Sequence, residues 1–299
     1  MASARGQSHD PPSGSPSGSP TGSPRFSVVT PSFNQSEWLK LCVASVEDQG
    51  VSHEHLVQDP GSTDGTLDWL VDDARVSARV EKDQGMYDAI NRGLKRARGD
   101  LLSHLNCDEQ YLPGALSLVE DYFRAHPDVD VLFGDAVVVD VDGNYLWHRK
   151  TQVPGRLHTS LFPLSTLTCA TFFRRRVVEE LGVVFDPGWR YCGDSVWVRQ
   201  LFRAGARMAC LGRFTSVFTH TGENLSLQPE VKAEAARFFA ETPAWVRLCK
   251  PAVLLRHRVR RWVGGGYRQA PFRYSLHTHA HPTSRVERRV DRPTFRWRW

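Results

Sequence analysis

Short apolar runs alternate with segments of helical spacing through the first half of this 299-residue chain. The runs occupy residues 26–30, 55–58, 76–80 and 101–105. Between them, apolar residues recur at intervals of three and four, which is the spacing of an amphipathic helix. This alternation predicts a parallel sheet with right-handed crossovers. We therefore expect an α/β fold with a mostly parallel sheet and helices on both faces.

Polar residues with special backbone properties follow the third of these runs. Asp83 and Gly85 precede a segment with an apolar stripe, and a glycine there lets the backbone approach a ligand closely. Asp88 and Asn91 are three residues apart, so they share one face of the predicted helix. The segment predicts a ligand-binding helix start, and a solvated helix face is the alternative for Asp88.

A second polar group follows the fourth run. Asn106, Asp108 and Glu109 stand at the end of residues 101–105, and open α/β sheets bind ligands beyond the carboxyl ends of their strands. Carboxylates there suit Mg²⁺ or Mn²⁺, which take oxygen ligands and retain substrate phosphates. The pattern predicts a nucleotide with a divalent cation. The alternative treats Asn106 and Glu109 as turn residues.

The second half of the chain has a mixed pattern. Residues 131–141 and 145–149 flank an Asp-Gly-Asn turn signal and predict a hairpin. Helices are expected over residues 174–181 and 193–201, with Asp194 near the start of the second. We expect this half to supply the acceptor side of a cleft.

The composition is that of a globular chain, with 40% hydrophobic and 24% charged residues. Its six cysteines form no CxxC pair and no zinc-like spacing, so we expect reduced thiols in a cytoplasmic protein. No run approaches the roughly 18 apolar residues of a membrane-spanning helix. Residues 1–24 are rich in Ser, Gly and Pro without an apolar core, which predicts a disordered leader rather than a signal peptide.

Basic charge is concentrated in the C-terminal part. Residues 250–299 contain 13 Lys or Arg residues and two acids, within a formal net charge of +5 for the whole chain. Arg256, Arg258 and Arg260 stand among Val259 and Trp262, which predicts a helix lying in the interface of an anionic membrane. A helix packed on its own domain and a solvated tail are the alternatives, and nucleic acid is not an expected partner.

These observations predict three segments. Residues 1–24 are the leader, residues 25–228 form one α/β domain, and residues 229–299 form a basic extension that is helical and partly disordered.

Taken in order, the motifs resemble those of family 2 of the inverting glycosyltransferases, with the GT-A fold. The similarity covers residues 26–227 and is strongest to the bacterial branch that builds exopolysaccharide or lipid-linked glycans. The residues that carry it are Thr30-Pro31-Ser32-Phe33-Asn34, Asp59-x-x-Ser62-x-Asp64-x-Thr66, Asp83-x-Gly85-x-Tyr87-Asp88-Ala89-x-Asn91-x-Gly93, Gly99-Asp100, Asn106-x-Asp108-Glu109 and Gly193-Asp194.

The resemblance implies a donor site for a nucleoside-diphosphate sugar. Asp59 would accept the N–H of a uracil or guanine, and the alternative for Ser62 is a cap on the following helix. Pro60 departs from the commoner family pattern, which has a second acid there. The implied nucleotide-sugar residues are Thr30, Pro31, Ser32, Asn34, Asp59, Ser62, Asp83, Gly85, Asp88, Asn91, Asn106 and Asp108.

The resemblance also implies a divalent cation, Mg²⁺ or Mn²⁺, held by Asp108, Glu109 and His220. Asn106 replaces an acid that is frequent in the family, so fewer charged ligands remain. A structural histidine at a strand end is the alternative for His220, because neutral imidazole serves both roles.

Asp194 matches the family position of the general base, in a Gly-Asp form of the more usual Glu-Asp pair. Such a carboxylate takes the proton of the acceptor hydroxyl, and an N-cap aspartate is the alternative. The implied reaction moves a UDP- or GDP-linked sugar to a glycan or lipid-linked acceptor.

Two other functions share the same predicted sheet. A sugar nucleotidyltransferase would need a glycine-rich basic loop after the first strand, and residues 30–34 contain no Gly, Lys or Arg. A non-catalytic nucleotide-sugar-binding protein would explain Asn106 and Pro60 as lost function.

Overall fold

A computed structural model describes residues 25–162, 164, 166–222, 224 and 228–294 of the chain. The leader predicted for residues 1–24 lies outside the described residues. Within these residues, a nine-stranded sheet forms the centre and a two-stranded sheet lies beside it. The strands are β1 (Phe26–Pro31), β2 (His53–Asp59), β3 (Ser77–Val80), β4 (Leu101–His104), β5 (Glu109–Tyr111), β6 (Val131–Val139), β7 (Tyr145–Arg149), β8 (Thr171–Arg174), β9 (Met208–Thr219), β10 (Phe272–Thr278) and β11 (His281–Val290). The helices are α1 (Ser36–Glu47), α2 (Thr66–Leu70), α3 (Met86–Arg96), α4 (Ala115–Ala125), α5 (Arg156–Leu161), α6 (Arg176–Glu179), α7 (Gly193–Arg203), α8 (Val231–Ala240), α9 (Ala244–Leu248) and α10 (Lys250–Val263).

The first half of the sheet consists of four parallel strands in the order β3-β2-β1-β4. Strand β1 is covered on both faces, and its Val28 and Val29 pack into different cores. Helix α3 lies directly on this strand, because a Cβ at Gly93 would overlap the Val29 side chain. The predicted strand–helix alternation is confirmed here.

Strand β8 lies between β4 and β6 and is antiparallel to both. The sequence predicts a helix over residues 174–181, but only Arg176–Glu179 is helical. The run Thr171–Arg174 is instead hydrogen-bonded on both edges, and its Phe172 and Phe173 enter different cores. Because Arg174 is the last residue of this strand, the helix begins later than predicted, at Arg176.

Strand directions in the large sheet confirm the expected fold class. Within the part of the chain that the structure describes, six strands run one way, and β5, β7 and β8 run the other. Strands β6 and β7 form the predicted hairpin. The molecule is therefore an α/β protein with a mostly parallel sheet. None of the helices described is both long enough and apolar enough to cross a membrane.

Strands β10 and β11 form a hairpin that covers one face of the large sheet. Tyr274 and Leu276 share a core with Val137 of β6. The side-chain amide of Gln110 bonds both backbone polar groups of His277, each at 2.9 Å. The sequence analysis predicts no strand here. Along β10, apolar residues that face inward alternate with polar or basic residues. The pattern of a half-buried strand was therefore present in the sequence despite its high charge.

Asp48, next to the end of α1, fixes this hairpin to the rest of the protein. Its carboxylate accepts two hydrogen bonds of 2.6 Å from Arg285 and lies 3.1 Å from Nε2 of His277. Burial acts to raise the pKa of Asp48, but the hydrogen bonds from His277 and Arg285 outweigh it and lower the pKa to about 2. The ionised form of Asp48 therefore stabilises the fold.

We predict that Asp48→Asn lowers the free energy of unfolding by about 1 kcal/mol at pH 7, since a partly exposed charged hydrogen bond is lost. Because the folded pKa lies below the ordinary value of 3.8, the wild-type advantage is full above pH 4 and fades as the pH falls toward 2. Urea unfolding at several pH values measures it. Asp128→Asn, which breaks an exposed pair with Arg207, is the control. An advantage that does not change with pH would contradict the assignment.

Candidate active site

The carboxyl ends of the four parallel strands meet along one edge of the sheet. Ser32 follows β1, Asp59 ends β2, Asp83 follows β3 and Asn106 follows β4. Since the strand order is β3-β2-β1-β4, these residues form a row in the order of Asp83, Asp59, Ser32 and Asn106. The polar groups that the sequence singles out at four separate places therefore line one crevice.

The loops after β1 and β2 are hydrogen-bonded to each other. The backbone N–H of Asn34 donates to Oγ of Ser62 at 2.8 Å, and Oδ1 of Asn34 accepts from the N–H of Thr63 at 2.8 Å. Asn34 has a φ of 50°, in the left-handed region that asparagine tolerates better than most residues. Ser36 and Asp64 join the same loops through a 2.9 Å bond. Hydrogen bonds between backbone and side-chain groups of these two loops therefore hold the floor of the crevice.

Asp59 is the centre of this network. Its two carboxylate oxygens accept hydrogen bonds from the N–H groups of Gly61 and Ser62 and from the hydroxyls of Ser32 and Ser62, at 2.7 to 2.9 Å. A carboxylate has about four lone-pair sites. The four hydrogen bonds from protein groups therefore occupy the acceptor capacity of Asp59. The predicted contact with a base stays a prediction.

Thr30 is fully buried, whereas Pro31 is half-buried. Oγ1 of Thr30 lies 2.8 Å from Nε2 of His55 and 3.6 Å from Sγ of Cys42, so its hydroxyl bonds neighbouring elements beneath the crevice. The carbonyl of Pro31 accepts a 3.4 Å bond from the thiol of Cys107. Both residues support the loop that carries Ser32 and Asn34.

The loop before α3 presents an acidic wall. Gly85 has a φ of 115°, which favours glycine, and its N–H donates to Oδ1 of Asp83 at 2.9 Å. Oδ2 of Asp88 accepts from the N–H of Gln84 at 3.0 Å and from Arg92 at 2.9 Å. Burial raises the pKa of Asp83, and the Asp88 carboxylate adds to the rise. The Asp88 carboxylate therefore bonds the loop before α3 and Arg92 within the helix, and its side chain is largely buried.

The turn after β4 brings two acids together without a basic partner among the described residues. Burial raises the pKa of Asp108 to about 6, and burial together with the Asp108 charge raises that of Glu109 to about 8. Oε1 of Glu109 and Oδ1 of Asn106 are buried and have no hydrogen-bond partner within the described part of the chain. Orphaned oxygens beside an uncompensated carboxylate are a donor set that fits a hard cation.

The three predicted metal ligands are not equally placed for that cation. Asp108 is half-buried, and its Oδ2 accepts a 3.0 Å bond from Asn224. Glu109 is fully enclosed in β5, and the His220 ring lies edge-on to Trp147 at 5.9 Å. Over the described residues, no group of three or more His, Cys, Asp or Glu side chains is arranged to hold a metal. Of the three predicted ligands, Asp108 is therefore the one that fits best.

Asp194 lies at the first turn of α7, half-buried. Its Oδ1 accepts a 2.8 Å bond from the N–H of Ser195, and its own N–H donates to the hydroxyl of Tyr87 at 3.2 Å. Burial raises the pKa of Asp194 to about 6, and the Glu234 charge acts in the same direction. A carboxylate with this pKa is a proton acceptor near neutral pH.

Aromatic stacking connects α7 with α3. The rings of Tyr87 and Phe185 stack at 5.5 Å, and those of Phe185 and Trp197 at 5.2 Å. Gly193 touches the Tyr87 ring so closely that a Cβ would overlap it. Asn91 bonds both backbone polar groups of Phe185, at 2.7 and 3.0 Å. Asn91 therefore holds the segment that leads to Asp194.

A carboxylate from α8 holds the chain just before Asp194. Glu234 accepts hydrogen bonds from the N–H groups of Arg190, Tyr191 and Cys192, at 2.6 to 2.7 Å. Three charge-assisted bonds on consecutive residues fix the entry to α7.

Comparison with known proteins assigns the family. A family model described as "Glycosyl transferase family 2" matches residues 27–182, which is just over half of the chain. The chain belongs to glycosyl transferase family 2. The expectation of a transferase enzyme is confirmed at this level. The matched residues include the whole row from Asp83 to Asn106 and end before Asp194.

Two curated family 2 relatives are informative. The PGL/p-HBAD biosynthesis glycosyltransferase of Mycobacterium tuberculosis (strain ATCC 25177 / H37Ra) is 31% identical over 164 residues, covering 52% of this chain and 62% of the relative. The putative teichuronic acid biosynthesis glycosyltransferase TuaG of Bacillus subtilis (strain 168) is 35% identical over 91 residues, covering 28% and 36%. The family 2 chain thus spans less than two thirds of the length of these relatives.

Solved structures confirm the GT-A-like fold. S. aureus TarS superposes with a TM-score of 0.56 at 19% identity, over 72% of this chain and 39% of TarS. TarS 1-349 in complex with UDP-GlcNAc gives a TM-score of 0.54 at 19% identity, over 68% and 61%. At this identity the likeness concerns the fold alone.

Two residues that join the two sides of this family 2 site, Tyr87 and Glu234, were not predicted from the sequence. Tyr87 stands inside the quoted motif but was given no role, and Glu234 lies in the segment assigned to the extension. A cue for Tyr87 was its aromatic ring at the start of a helix, two residues after Gly85. No sequence cue connects Glu234 with residues 190–192, because the contact spans more than 40 positions.

We predict that Glu234→Gln lowers turnover about tenfold and leaves the KM for the donor nearly unchanged, because lost charge-assisted bonds loosen the entry to α7 while the loops around Asp59 stay intact. Steady-state kinetics with varied donor measures both values. Glu230→Gln, an exposed residue one turn earlier, is the matched control. Equal loss in both variants, or none in Glu234→Gln, would contradict this role.

Proposed function

We propose that the chain transfers a sugar from a nucleoside-diphosphate sugar to a hydroxyl of a glycan or lipid-linked acceptor, with inversion at the anomeric carbon. The observation that carries the proposal is the row of Asp83, Asp59, Ser32 and Asn106 at the carboxyl edge of the sheet, with Asp194 connected to it through Tyr87. The crevice for the donor and a proton acceptor with a raised pKa therefore belong to one connected set of residues. Family membership supports the same reaction.

The donor is proposed to bind with its nucleotide over the joined loops around Ser32, Asn34 and Ser62. The N–H groups and hydroxyls there are already fixed by hydrogen bonds, so binding would cost little ordering entropy. The TarS structure in complex with UDP-GlcNAc makes a UDP-linked sugar the first donor to test, followed by a GDP-linked one.

A divalent cation, Mg²⁺ or Mn²⁺, is proposed to be held by Asp108 with the donor phosphates and water. Bound there, it would supply charge neutralisation for the leaving diphosphate. The protein's own contribution is the carboxylate of Asp108, which Asn224 orients through Oδ2. His220 and Glu109 remain predictions as further ligands.

Asp194 is proposed as the general base. Its carboxylate takes the proton of the acceptor hydroxyl while the acceptor oxygen bonds to the anomeric carbon, and the nucleoside diphosphate departs with the electron pair of the broken C–O bond. A pKa of about 6 keeps most of the base ionised at neutral pH and still allows it to hold the proton. Tyr87 bonds the backbone N–H of Asp194 and Glu234 bonds those of the residues just before it, so both hold the backbone that carries this carboxylate.

The acceptor is proposed to be a growing glycan or a lipid-linked sugar at the cytoplasmic face of a membrane. The relatives named for PGL/p-HBAD biosynthesis and for teichuronic acid biosynthesis support an acceptor of this class.

We predict that Asp194→Asn lowers turnover by about 10²-fold or more while donor affinity is nearly kept, the effect of a lost general base. In the wild type, the rate should fall as the pH drops below about 6, because Asp194 becomes protonated. Release of nucleoside diphosphate from UDP- and GDP-linked sugars with a glycan acceptor measures the rate, and calorimetry measures affinity. Asp72→Asn, on the exposed surface after α2, is the control. Full activity of Asp194→Asn would refute the assignment.

We predict that Asp108→Asn weakens nucleoside-diphosphate binding by about tenfold or more in Mn²⁺ or Mg²⁺, at least the loss expected for a group that supports a metal ligand. With chelator present, wild type and variant should bind equally, because only the cation-mediated part is removed. Calorimetric titration in both conditions makes the comparison. Equal affinities in the presence of metal would exclude Asp108 as a ligand.

A further inference from the structure

An apolar stripe on α10 faces away from the protein. Leu255, Val259 and Trp262 are four and three residues apart, so they lie on one face of the helix. Leu255 is 64% and Trp262 66% exposed, and Leu248 in the preceding α9 is 83% exposed. No residue of α10 is buried. Adjacent large apolar residues with this exposure mark an interaction surface.

Arginines lie along both borders of the stripe. Arg256 lies on one border and Arg258 on the other, while Arg260, one turn after Arg256, has its Nη1 close to Gly155 at the start of α5. Among the described residues, no carboxylate lies within ion-pair distance of Arg256 or Arg260. The stripe is thus apolar at its centre and cationic at its edges.

The opposite face of α10 is docked on the protein. The His257 ring stacks on His158 of α5 at 3.7 Å, and the Gln152 amide nitrogen lies 2.8 Å from Nδ1 of His257. Burial and neighbouring arginines lower the pKa values of His158 and His257 to about 4 and about 3, so both rings are neutral at pH 7. Docking on this side therefore fixes the apolar stripe outward.

We propose that the exposed face of α9 and α10 binds the surface of an anionic lipid bilayer. The stripe would enter the boundary between headgroups and acyl chains, with the arginines at the level of the lipid phosphates. This inference adds a membrane-attachment surface to the proposed function. It rests on that function only for the reason why the protein would need to be at a membrane.

Charge favours a bilayer over a protein partner. Basic residues on both borders suit a flat anionic plane, and each contributes about a factor of five in partition near such a surface. Tryptophan at the stripe's edge is typical of membrane interfaces.

Co-sedimentation of the full chain with phosphatidylcholine vesicles, with and without phosphatidylglycerol, tests the proposal. We expect binding to the anionic vesicles at low salt, with loss at high salt. The Arg256→Gln/Arg260→Gln variant should bind about tenfold more weakly or worse, and Leu255→Ser/Trp262→Ser should lose binding in a similar range. Donor-dependent nucleotide release measured without vesicles should be unchanged in both, which separates this inference from the proposed reaction.

Matched variants elsewhere serve as controls. Arg203→Gln/Arg213→Gln removes two exposed arginines from other elements, and Leu118→Ser removes an exposed apolar residue of α4. Both should bind anionic vesicles as the wild type does. Equal loss in Arg203→Gln/Arg213→Gln would mean a general charge effect and overturn the proposal. Failure of the wild type to bind would also overturn it, as would a self-associated wild type that Leu255→Ser/Trp262→Ser converts to monomer.

Discussion

The stack of Tyr87, Phe185 and Trp197 is the contact on which the candidate site depends. It joins α3, which follows the parallel strands, to α7, which belongs to the second half of the chain. The overlap that a Cβ at Gly193 would cause shows how close the approach is. The contact thus brings the helix that carries Asp194 against the helix that begins at the sheet edge.

The same region holds several carboxyl groups in environments that oppose their ionisation. Burial raises the pKa of Asp83, Asp108, Glu109 and Asp194. When the pKa of an acid is higher in the folded than in the unfolded state, the folded protein loses stability as the pH rises from the unfolded to the folded pKa. Ionising these groups therefore works against folding. Asp48 is the opposite case, because its carboxylate is paired with Arg285 and its pKa is lowered. Acids of raised pKa that have no salt-bridge partner among the described residues are typical of a functional site, where a ligand or cation completes the charge balance.

The sequence predicted the parallel half of the fold and the loops that line its edge, because these depend on local patterns. The glycine and acids around Asp83 and Asp108 occupy the turns where they were expected. What sequence could not predict depends on contacts between distant residues. The strand Thr171–Arg174 exists because β4 and β6 lie on either side of it. The network that occupies Asp59 depends on two loops meeting. Glu234 meets residues 190–192 only after α8 has packed.

The C-terminal region contains two arginine-rich segments whose arginines have different environments. In the hairpin, Arg285 turns inward to Asp48 and to backbone carbonyls, so its charge is neutralised and contributes to the fold. In α10, Arg256 and Arg260 stay exposed beside an apolar stripe. Net charge alone cannot separate these cases, because both segments are arginine-rich. The difference is whether the helix or strand carries its apolar residues on the inner or on the outer face. The hairpin buries Tyr274 and Leu276 against the sheet, whereas the apolar side of α10 faces outward.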